Sequence, residues 1–196
     1  MLKKVLITLA FFMALGCSGQ VMAADLSVAQ QSQWRFDALT MEDITYNGDD
    51  PFKQLDRYHL AYMVGRTLEK TGAEAGGMVF KDVPEGHWAE RAIDIAVSNE
   101  VFSYYDDGTF RGDFMVTNMD MARAFARLLK IYGKAQVVEN LSVNDVPMDS
   151  ADYEAVNIVC NKGIMSLDNG SFKGRSPVGG FESRAMMLNF INELKK

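Results

Sequence analysis

Few residues of this sequence have the types and spacing that catalysis or metal binding requires. Glycan hydrolysis needs two carboxylates facing one cleft, and the candidate acids Glu90 and Asp94 are expected on the polar side of a helix. His59 and His87 lack the spacing of zinc ligands, and the aspartates of 106–113 lack EF-hand spacing. No G-x-S-x-G, H-E-x-x-H or Cys-His pairing occurs. The sequence therefore predicts a protein that is not an enzyme and needs no cofactor or metal.

The first 23 residues resemble a secretory signal peptide. Lys3 and Lys4 precede an apolar run at 5–15, which is too short to span a bilayer, and the small residues before Ala24 suit a signal peptidase. A rival reading is a lipoprotein box in which Cys17 is acylated. We therefore predict an exported protein of the cell envelope, with membrane attachment only if Cys17 carries lipid.

Composition and charge exclude two classes of protein. The chain of 196 residues has 20 Lys and Arg against 26 Asp and Glu, a net charge of -6, and is 48% hydrophobic. An acidic chain without a long basic patch is not expected to bind nucleic acid. A chain this apolar is not broadly disordered. After signal cleavage Cys160 is left without a disulfide partner, and its apolar neighbours favour a small buried hydrophobe.

An internal repeat organises the rest of the chain. Residues 82–102 resemble 145–165, 106–112 resemble 168–174, and 116–131 resemble 55–70. The sequence thus predicts two full units and one degenerate unit. Their expected bounds, in chain order, are 24–71 (the degenerate unit), 79–133 and 140–196, with a flexible glycine-rich joint at 71–79.

Each unit is predicted to be a helix, a loop and a second helix. In the second unit Gly108 suits a positive φ in the loop, Phe110 is expected in the core, and Thr117 with Asp120 forms a capping pair. A helix pair of this size cannot bury its apolar faces alone. We therefore expect a mainly α fold in which three units pack together. Small residues permit close approach of the helices: Ala61, Gly65, Ala122 and Ala126.

These blocks resemble the S-layer homology domain. The family pattern is F-x-D-V-P, H-W-A, D-G-T-F and a T-R-A-E helix opening. Residues 80–84, 87–89 and 107–110 follow the first three blocks. The runs 109–113 and 56–59 resemble the variant found in envelope proteins of diderm Firmicutes (Negativicutes). The resemblance covers about residues 50–195.

The resemblance implies a pseudo-threefold bundle that binds cell-wall carbohydrate non-covalently in grooves between units. The ligand would be a secondary cell-wall polymer, often pyruvylated, or modified peptidoglycan. In the family an arginine at the helix opening and a groove tryptophan contact it. Arg57 keeps that arginine, whereas Asn118 and Gly180 replace it in the other units. Trp88 keeps the tryptophan, and Ala151 replaces it in the third unit.

Six residues are therefore expected at the ligand, and three of them, Arg57, Trp88 and Arg111, have a structural alternative. Arg57 suits a bidentate bond to a carboxylate. Its alternative is an exposed arginine at a helix start, where the helix dipole disfavours a positive charge. Trp88 suits stacking on a sugar or a place in the core, and Arg111 suits a contact or solvated surface. The expected set is Asp56, Arg57, Trp88, Gly108, Arg111 and Thr117.

Two alternatives to glycan binding stay open at this point. The loss of Arg at two of three positions favours a structural or assembly protein of the envelope. An acylated Cys17 would instead make the chain a tether between outer membrane and peptidoglycan. The acidic charge is compatible either with local contacts to an anionic polymer or with a ligand that carries amines. The sequence predicts neither the oligomeric state nor a protein partner.

Overall fold

The fold is mainly α, as the sequence predicts. The computed structural model describes residues 33, 35–48 and 50–196, so the predicted signal peptide and Cys17 lie outside the described residues. All of these except Gln33 belong to one compact unit, Arg35–Lys196. The helices with full bounds in the described part are α1 (Met41–Ile44), α2 (Arg57–Lys70), α3 (Glu90–Ser98), α4 (Asn118–Ile131), α5 (Tyr153–Asn161) and α6 (Gly180–Leu194).

A closed ring of backbone hydrogen bonds joins the three units. The Leu55 N–H donates to the Val178 carbonyl (2.8 Å), the Val178 N–H to the Val116 carbonyl (3.0 Å), and the Val116 N–H to the Leu55 carbonyl (2.9 Å). All three side chains are buried. Because each residue stands two positions before its long helix, the ring relates α2, α4 and α6 by a pseudo-threefold arrangement.

Each long helix begins against the loop of another unit. The first N–H groups of α2 and α4 have no partner within their own helix, so they need acceptors elsewhere. The acceptors lie in the loops at 112–114 and 174–176, and for α6 at 51–53. The bonds run from Arg57 to Phe114 (2.9 Å), Asn118 to Ser176 (3.0 Å) and Gly180 to Lys53 (2.9 Å).

The side-chain caps differ among the three long helices. Asp56 accepts the His59 N–H at the start of α2, and Thr117 with Asp120 forms the predicted capping box of α4. Gly179 offers α6 no side-chain cap. Gly65 allows the close approach expected of it, because a Cβ there would lie 2.1 Å from a backbone carbonyl oxygen of α3.

The structure corrects the expectations for the joint at 71–79 and for Asp94. Asp94 is buried rather than on the polar face. Its carboxylate accepts hydrogen bonds from the backbone N–H groups of Gly76 (3.1 Å), Gly77 (2.9 Å) and Met78 (3.0 Å). The joint is therefore tied to α3 at these glycines. Asn157 of α5 does the same for the next joint, where it accepts the Leu141 N–H (3.0 Å).

The aspartate of each D-V-P block holds the glycine-rich loop that follows it. Asp82 accepts the backbone N–H groups of Phe110 (2.7 Å) and Arg111 (2.6 Å). Asp145 accepts those of Phe172 (2.7 Å) and Lys173 (2.8 Å). Arg111 and Lys173 both have a positive φ, 58° and 56°. These loops form one wall of each groove between units.

Helix α6 keeps the register of the other long helices. Its Met187 is buried at the position of Phe125, and Ser183 at the position of Met121. Arg184, which stands at the position of Ala122, therefore neither rotates nor shifts the helix. The core it joins is continuous from Phe36 to Leu194.

Candidate functional site

Two grooves between units can be compared position by position. The first groove lies between α2 and the segments 82–89 and 111–114 of the second unit. The second groove lies between α4 and the segments 145–152 and 173–176 of the third unit. The repeat relates them, so each position of one groove has a counterpart in the other.

The first groove is filled by aromatic side chains of the protein. Tyr58 is buried, packs against the backbone of Gly112 and donates its hydroxyl to the Asp82 carbonyl (3.0 Å). Trp88 is half-buried, with its ring 5.3 Å from that of His87 and 6.3 Å from that of Tyr58. These rings occupy the space that a ligand would need between the units.

One face of Trp88 is covered by Tyr46 from the first unit. The two rings are stacked, with centroids 4.2 Å apart and an interplanar angle of 21°. Tyr62 and His59 flank the tryptophan at 5.4 Å and 4.8 Å, and His59 Nδ1 lies 2.6 Å from an Asp56 carboxylate oxygen. Trp88 thus belongs to a cluster of aromatic residues, which we call the Trp88 cluster (Tyr46, Tyr58, His59, Tyr62, His87, Trp88).

The second groove is open, with a cleft of about 790 Å³. Small side chains explain the difference, since Ser150 and Ala151 stand where His87 and Trp88 fill the first groove. Met119 stands at the position of Tyr58. The cleft is lined by Thr117, Met119, Arg123, Asp145, Val146, Pro147, Ser150, Asp152, Lys173, Gly174, Arg175 and Ser176.

The charged groups of the second groove are mostly paired within the protein. Arg123 donates two hydrogen bonds to Asp152, from Nε (2.8 Å) and Nη2 (3.0 Å), and so links α4 to the third unit. Lys173 pairs with Asp168. Desolvation raises the pKa of the Asp145 carboxyl, but the hydrogen bonds from the backbone N–H groups of Phe172 and Lys173 oppose it. The net result is a pKa below the ordinary value.

Arg175 and Ser150 differ from these paired groups. Arg175 is exposed at the groove, and no side-chain hydrogen bond or ion pair holds its guanidinium within the described part of the chain. The Ser150 hydroxyl oxygen is buried at the groove wall and lacks a hydrogen-bond partner among the described residues. Among the described residues that line the second groove, Arg175 is therefore the cation without a partner in the protein, and it is available for an acidic group of a ligand.

Arg57 makes contacts within the protein. Its Nε donates to the Phe110 carbonyl (2.9 Å), Nη2 donates to the Ser103 carbonyl, and the guanidinium lies 4.4 Å from the centroid of the Phe110 ring. Burial lowers the pKa of the guanidinium, and nearby Tyr105 and Asp120 oppose this shift. The contact between Arg57 and a ligand stays a prediction.

The other residues expected at the ligand are divided between the grooves and the loop. Thr117 lines the open second groove, whereas Asp56 contacts the Trp88 cluster through His59. Gly108 has the predicted positive φ of 80° in the loop. Arg111 lies 3.8 Å over the Tyr105 ring and pairs with Asp107 (3.0 Å). The set is therefore not gathered at one cleft.

The residues that line the open cleft were absent from the expected set, apart from Thr117. Arg123, Ser150 and Arg175 carry no family motif, so the motif search passed over them. The repeat spacing offers a signal for the cleft itself, because Ser150 and Ala151 stand where the first groove has His87 and Trp88. A change from large to small side chains at repeat-equivalent positions marks an open groove.

Comparison with known proteins identifies the module in the second unit. The S-layer homology domain family model matches residues 79–122. The outer membrane protein SlpA of Deinococcus radiodurans is 42% identical over 65 residues, which is 33% of this chain and 6% of that protein. The cellulosome-anchoring protein of Acetivibrio thermocellus is 23% identical over 142 residues, 70% of this chain and 32% of that protein.

A third relative is also named as an outer membrane protein. The outer membrane protein alpha of Thermotoga maritima is 37% identical over 73 residues, 32% of this chain and 18% of that protein. The chain thus spans less than two thirds of each of these relatives. Their names describe outer membrane proteins and an anchoring protein rather than enzymes, and together with the matched family this confirms the non-enzymatic prediction at the level of the module. None of the described helices has the length and apolar character needed to cross a membrane.

Proposed function

The chain carries an S-layer homology domain, and we propose that it is a non-catalytic module of the cell envelope that binds a cell-wall polymer. The proposed site is the second groove, where the ligand would be cell-wall polysaccharide or peptidoglycan. The observation that carries the proposal is the open cleft of about 790 Å³ at the seam between the second and third units. The first groove has the same position in the repeat and is filled by the Trp88 cluster.

The chemistry of the second groove suits an acidic glycan. Val146, Pro147 and Met119 offer apolar surface to the carbon-bound hydrogens of sugar rings. Arg175 offers a planar guanidinium, which binds carboxylate or phosphate oxygens in a bidentate manner. This charge favours a polymer with acidic groups over one whose groove contacts are amines. The local contact with Arg175 would offset the repulsion between these acidic groups and the overall negative charge of the protein.

Retention on purified sacculi tests the proposal. Wild-type protein is expected to co-sediment with sacculi, and Arg175→Ala is expected to weaken binding. A charged hydrogen bond contributes about 1.5–3 kcal/mol, which corresponds to roughly a ten- to hundredfold change in Kd. Arg91→Ala is the matched control, because it removes an exposed arginine from α3 that does not line the groove. Retention of Arg91→Ala should equal that of wild type.

Other outcomes separate the remaining hypotheses. Equal retention of wild type and Arg175→Ala would contradict the assigned site, and a loss in Arg57→Ala at unchanged stability would return the site to Arg57. Stronger binding by Arg175→Glu would indicate an amine-bearing ligand. No retention of any form would favour the structural or assembly role. Mass spectrometry of the mature N-terminus tests the tether, which requires an acylated Cys17.

A further inference from the structure

One end of the bundle presents an exposed surface to which all three units contribute. The first N–H groups of a helix point out of its N-terminal end, so the loop carbonyls that accept those of α2, α4 and α6 lie beyond the helix ends. These loops continue into three tripeptides, one from each unit, that lead to the buried ring of Leu55, Val116 and Val178. We call the surface of these tripeptides the end face (residues 52–54, 113–115 and 175–177). All of its residues except the half-buried Ser176 are exposed.

Much of the end face is apolar. Phe52 is 86% exposed, Phe114 53% and Met115 57%. Phe181 lies at the rim, 58% exposed, with its ring centroid 5.1 Å from that of Phe52. At about 200 Å² per side chain, these residues expose roughly 500 Å² of apolar surface. An area of this size is large for the surface of a monomer, and it matches the apolar share of the about 800 Å² that each partner buries in a standard protein interface.

The charges of the end face complement those of a second copy of the same face. The repeat places Phe52, Asp113 and Arg175 at one equivalent position of the three units, so an aromatic ring, an acid and a base surround the pseudo-threefold axis. When two such faces meet about a twofold axis, one unit faces its own copy and the other two units face each other. With the axis through the first unit, Phe52 meets its copy, and each Asp113 meets Arg175 of the other chain.

Charge selects this orientation over the other two. A twofold axis through the second unit would bring Asp113 against its own copy, and an axis through the third unit would do the same to Arg175. Like charges that face each other across an interface oppose association. The axis through the first unit is therefore the one that pairs opposite charges twice and buries the phenylalanine.

We propose that the end face is a self-association surface through which two copies of this chain form a symmetric dimer. Phe52 and its copy meet on the twofold axis, with Phe181 beside them, and the two ion pairs between Asp113 and Arg175 fix the orientation. The same arrangement places Met115 against Pro177 of the other chain, since these residues are also equivalent in the repeat.

The dimer gives Arg175 a second role, and this part of the proposal rests on the proposed function. An acidic polymer in the second groove would draw Arg175 away from Asp113 of the other chain. Because linkage is reciprocal, dimerisation and wall binding then weaken each other by the same factor. The dimer is the form that exists away from the wall, and the wall polymer binds the monomer.

Sedimentation velocity of the purified protein, at micromolar to millimolar concentrations, tests the dimer. Wild type is expected to show a monomer–dimer equilibrium. Phe52→Ala is expected to raise the Kd of the dimer at least about tenfold, because both chains lose the ring. Val138→Ala is the control and should leave the Kd unchanged, since Val138 is 96% exposed and follows the C-terminal end of α4, away from the end face. A wild-type protein that stays monomeric, or a dimer that Phe52→Ala leaves unchanged, would overturn the proposal.

Charge reversal tests the orientation with exposed residues, whose substitution does not disturb the core. Asp113→Arg and Arg175→Asp should each raise the Kd of the dimer at least about tenfold, because each places like charges at both ion pairs. The two substitutions combined in one chain should restore the dimer, and a mixture of the two single variants should form a heterodimer. Glu139→Arg is the control with the same change of charge at an exposed position outside the end face. Single variants that dimerise as wild type does, or a failure of both rescues, would overturn the assigned pairing.

Retention on sacculi separates the dimer from the proposed function. Phe52→Ala weakens the dimer and leaves Arg175 in place, so its retention should equal or exceed that of wild type. A loss of retention in Phe52→Ala would contradict the competition between the dimer and the wall polymer. Failure of every form to bind sacculi would overturn the proposed function, whereas the dimer stands or falls on the sedimentation results alone.

Discussion

The Phe110 backbone N–H donates a 2.7 Å hydrogen bond to Asp82 Oδ1 across 28 residues of sequence. The neighbouring Arg111 N–H donates to the other carboxylate oxygen at 2.6 Å. Both oxygens of one side chain therefore hold the loop that carries Phe110, which is fully buried. The aspartate of the D-V-P block acts as a structural clasp, and the loop that it holds supplies the wall of the first groove.

Asp82→Ala is expected to destabilise the protein by about 1–3 kcal/mol, because it leaves two backbone N–H groups without acceptors. For a domain of this size that corresponds to a fall in Tm of roughly 2–4 °C per kcal/mol. Thermal unfolding followed by circular dichroism measures it. Asp106→Ala is the control, since Asp106 is an exposed acid of the same loop, and a similar loss of Tm in both variants would contradict the clasp.

The stability of the protein is expected to depend on Asp94 in acid. Desolvation raises the pKa of this carboxyl, but the N–H groups of Met78, Gly77 and Gly76 and the Ser98 hydroxyl together lower it below its ordinary value of 3.8. A group with a lowered pKa in the folded state stabilises the fold above its unfolded pKa, and this contribution is lost as the pH falls through the folded value. Asp94→Asn should therefore be less stable than wild type at pH 7.

The difference between wild type and Asp94→Asn should shrink as the pH falls below about 4. Urea unfolding at pH 7, 5, 4 and 3 measures it. Asn157 is the natural asparagine at the equivalent position and binds one N–H of its joint, so Asn157→Asp supplies the reciprocal variant. A stability gap that stays constant from pH 7 to pH 3 would show that the charge of Asp94 does not contribute.

The fold could be predicted from sequence because its determinants recur. The spacing that relates Thr117 to its counterparts sets where each long helix begins, and Phe110 and Phe172 are buried at matching positions. Asp94 was misplaced because helical periodicity describes the helix alone. The partners of this carboxylate are backbone N–H groups in the joint between the first two units. A pattern of apolar residues does not show that these N–H groups need hydrogen-bond acceptors.

The candidate site could be predicted only in part. Family motifs directed attention to Arg57 and Trp88, but motif residues are also the ones that pack the units together. Arg57 lies over the Phe110 ring, and Trp88 lies under Tyr46. Tyr46 belongs to the degenerate unit, whose upstream half has no clear repeat block, so the sequence gives no signal for its contact with Trp88. An open groove depends on which side chains are small, and this emerges only when the repeats are compared in three dimensions.

Gly112 and Gly174 are expected to respond differently to the same substitution. A Cβ at Gly112 would lie 2.1–2.2 Å from the Tyr58 ring, which is buried and fixed by its hydroxyl. A Cβ at Gly174 would lie 2.9 Å from the end of the flexible Met119 side chain. We expect Gly112→Ala to cost about 1–3 kcal/mol through overpacking, and Gly174→Ala to cost less than about 1 kcal/mol.

Chemical denaturation of the two glycine variants provides the measurement. Both substitutions are from glycine to alanine at repeat-equivalent positions, so their effects on the unfolded chain are the same and cancel in the comparison. Equal losses of stability would contradict the rigid packing of Tyr58 against Gly112. They would indicate that the first groove relaxes as easily as the second.

Filling the second groove should weaken wall binding without unfolding the protein. Ala151→Trp places in this groove the residue type that Trp88 supplies in the first, and Ala151 is exposed, so the core is not strained. We expect retention on sacculi to fall at least about tenfold, the effect of losing roughly 1.4 kcal/mol of binding free energy, while Tm changes little. Ala151→Ser is the control, since it keeps the cleft open. Undiminished retention of a folded Ala151→Trp protein would place the polymer elsewhere and would count against the second groove as the site.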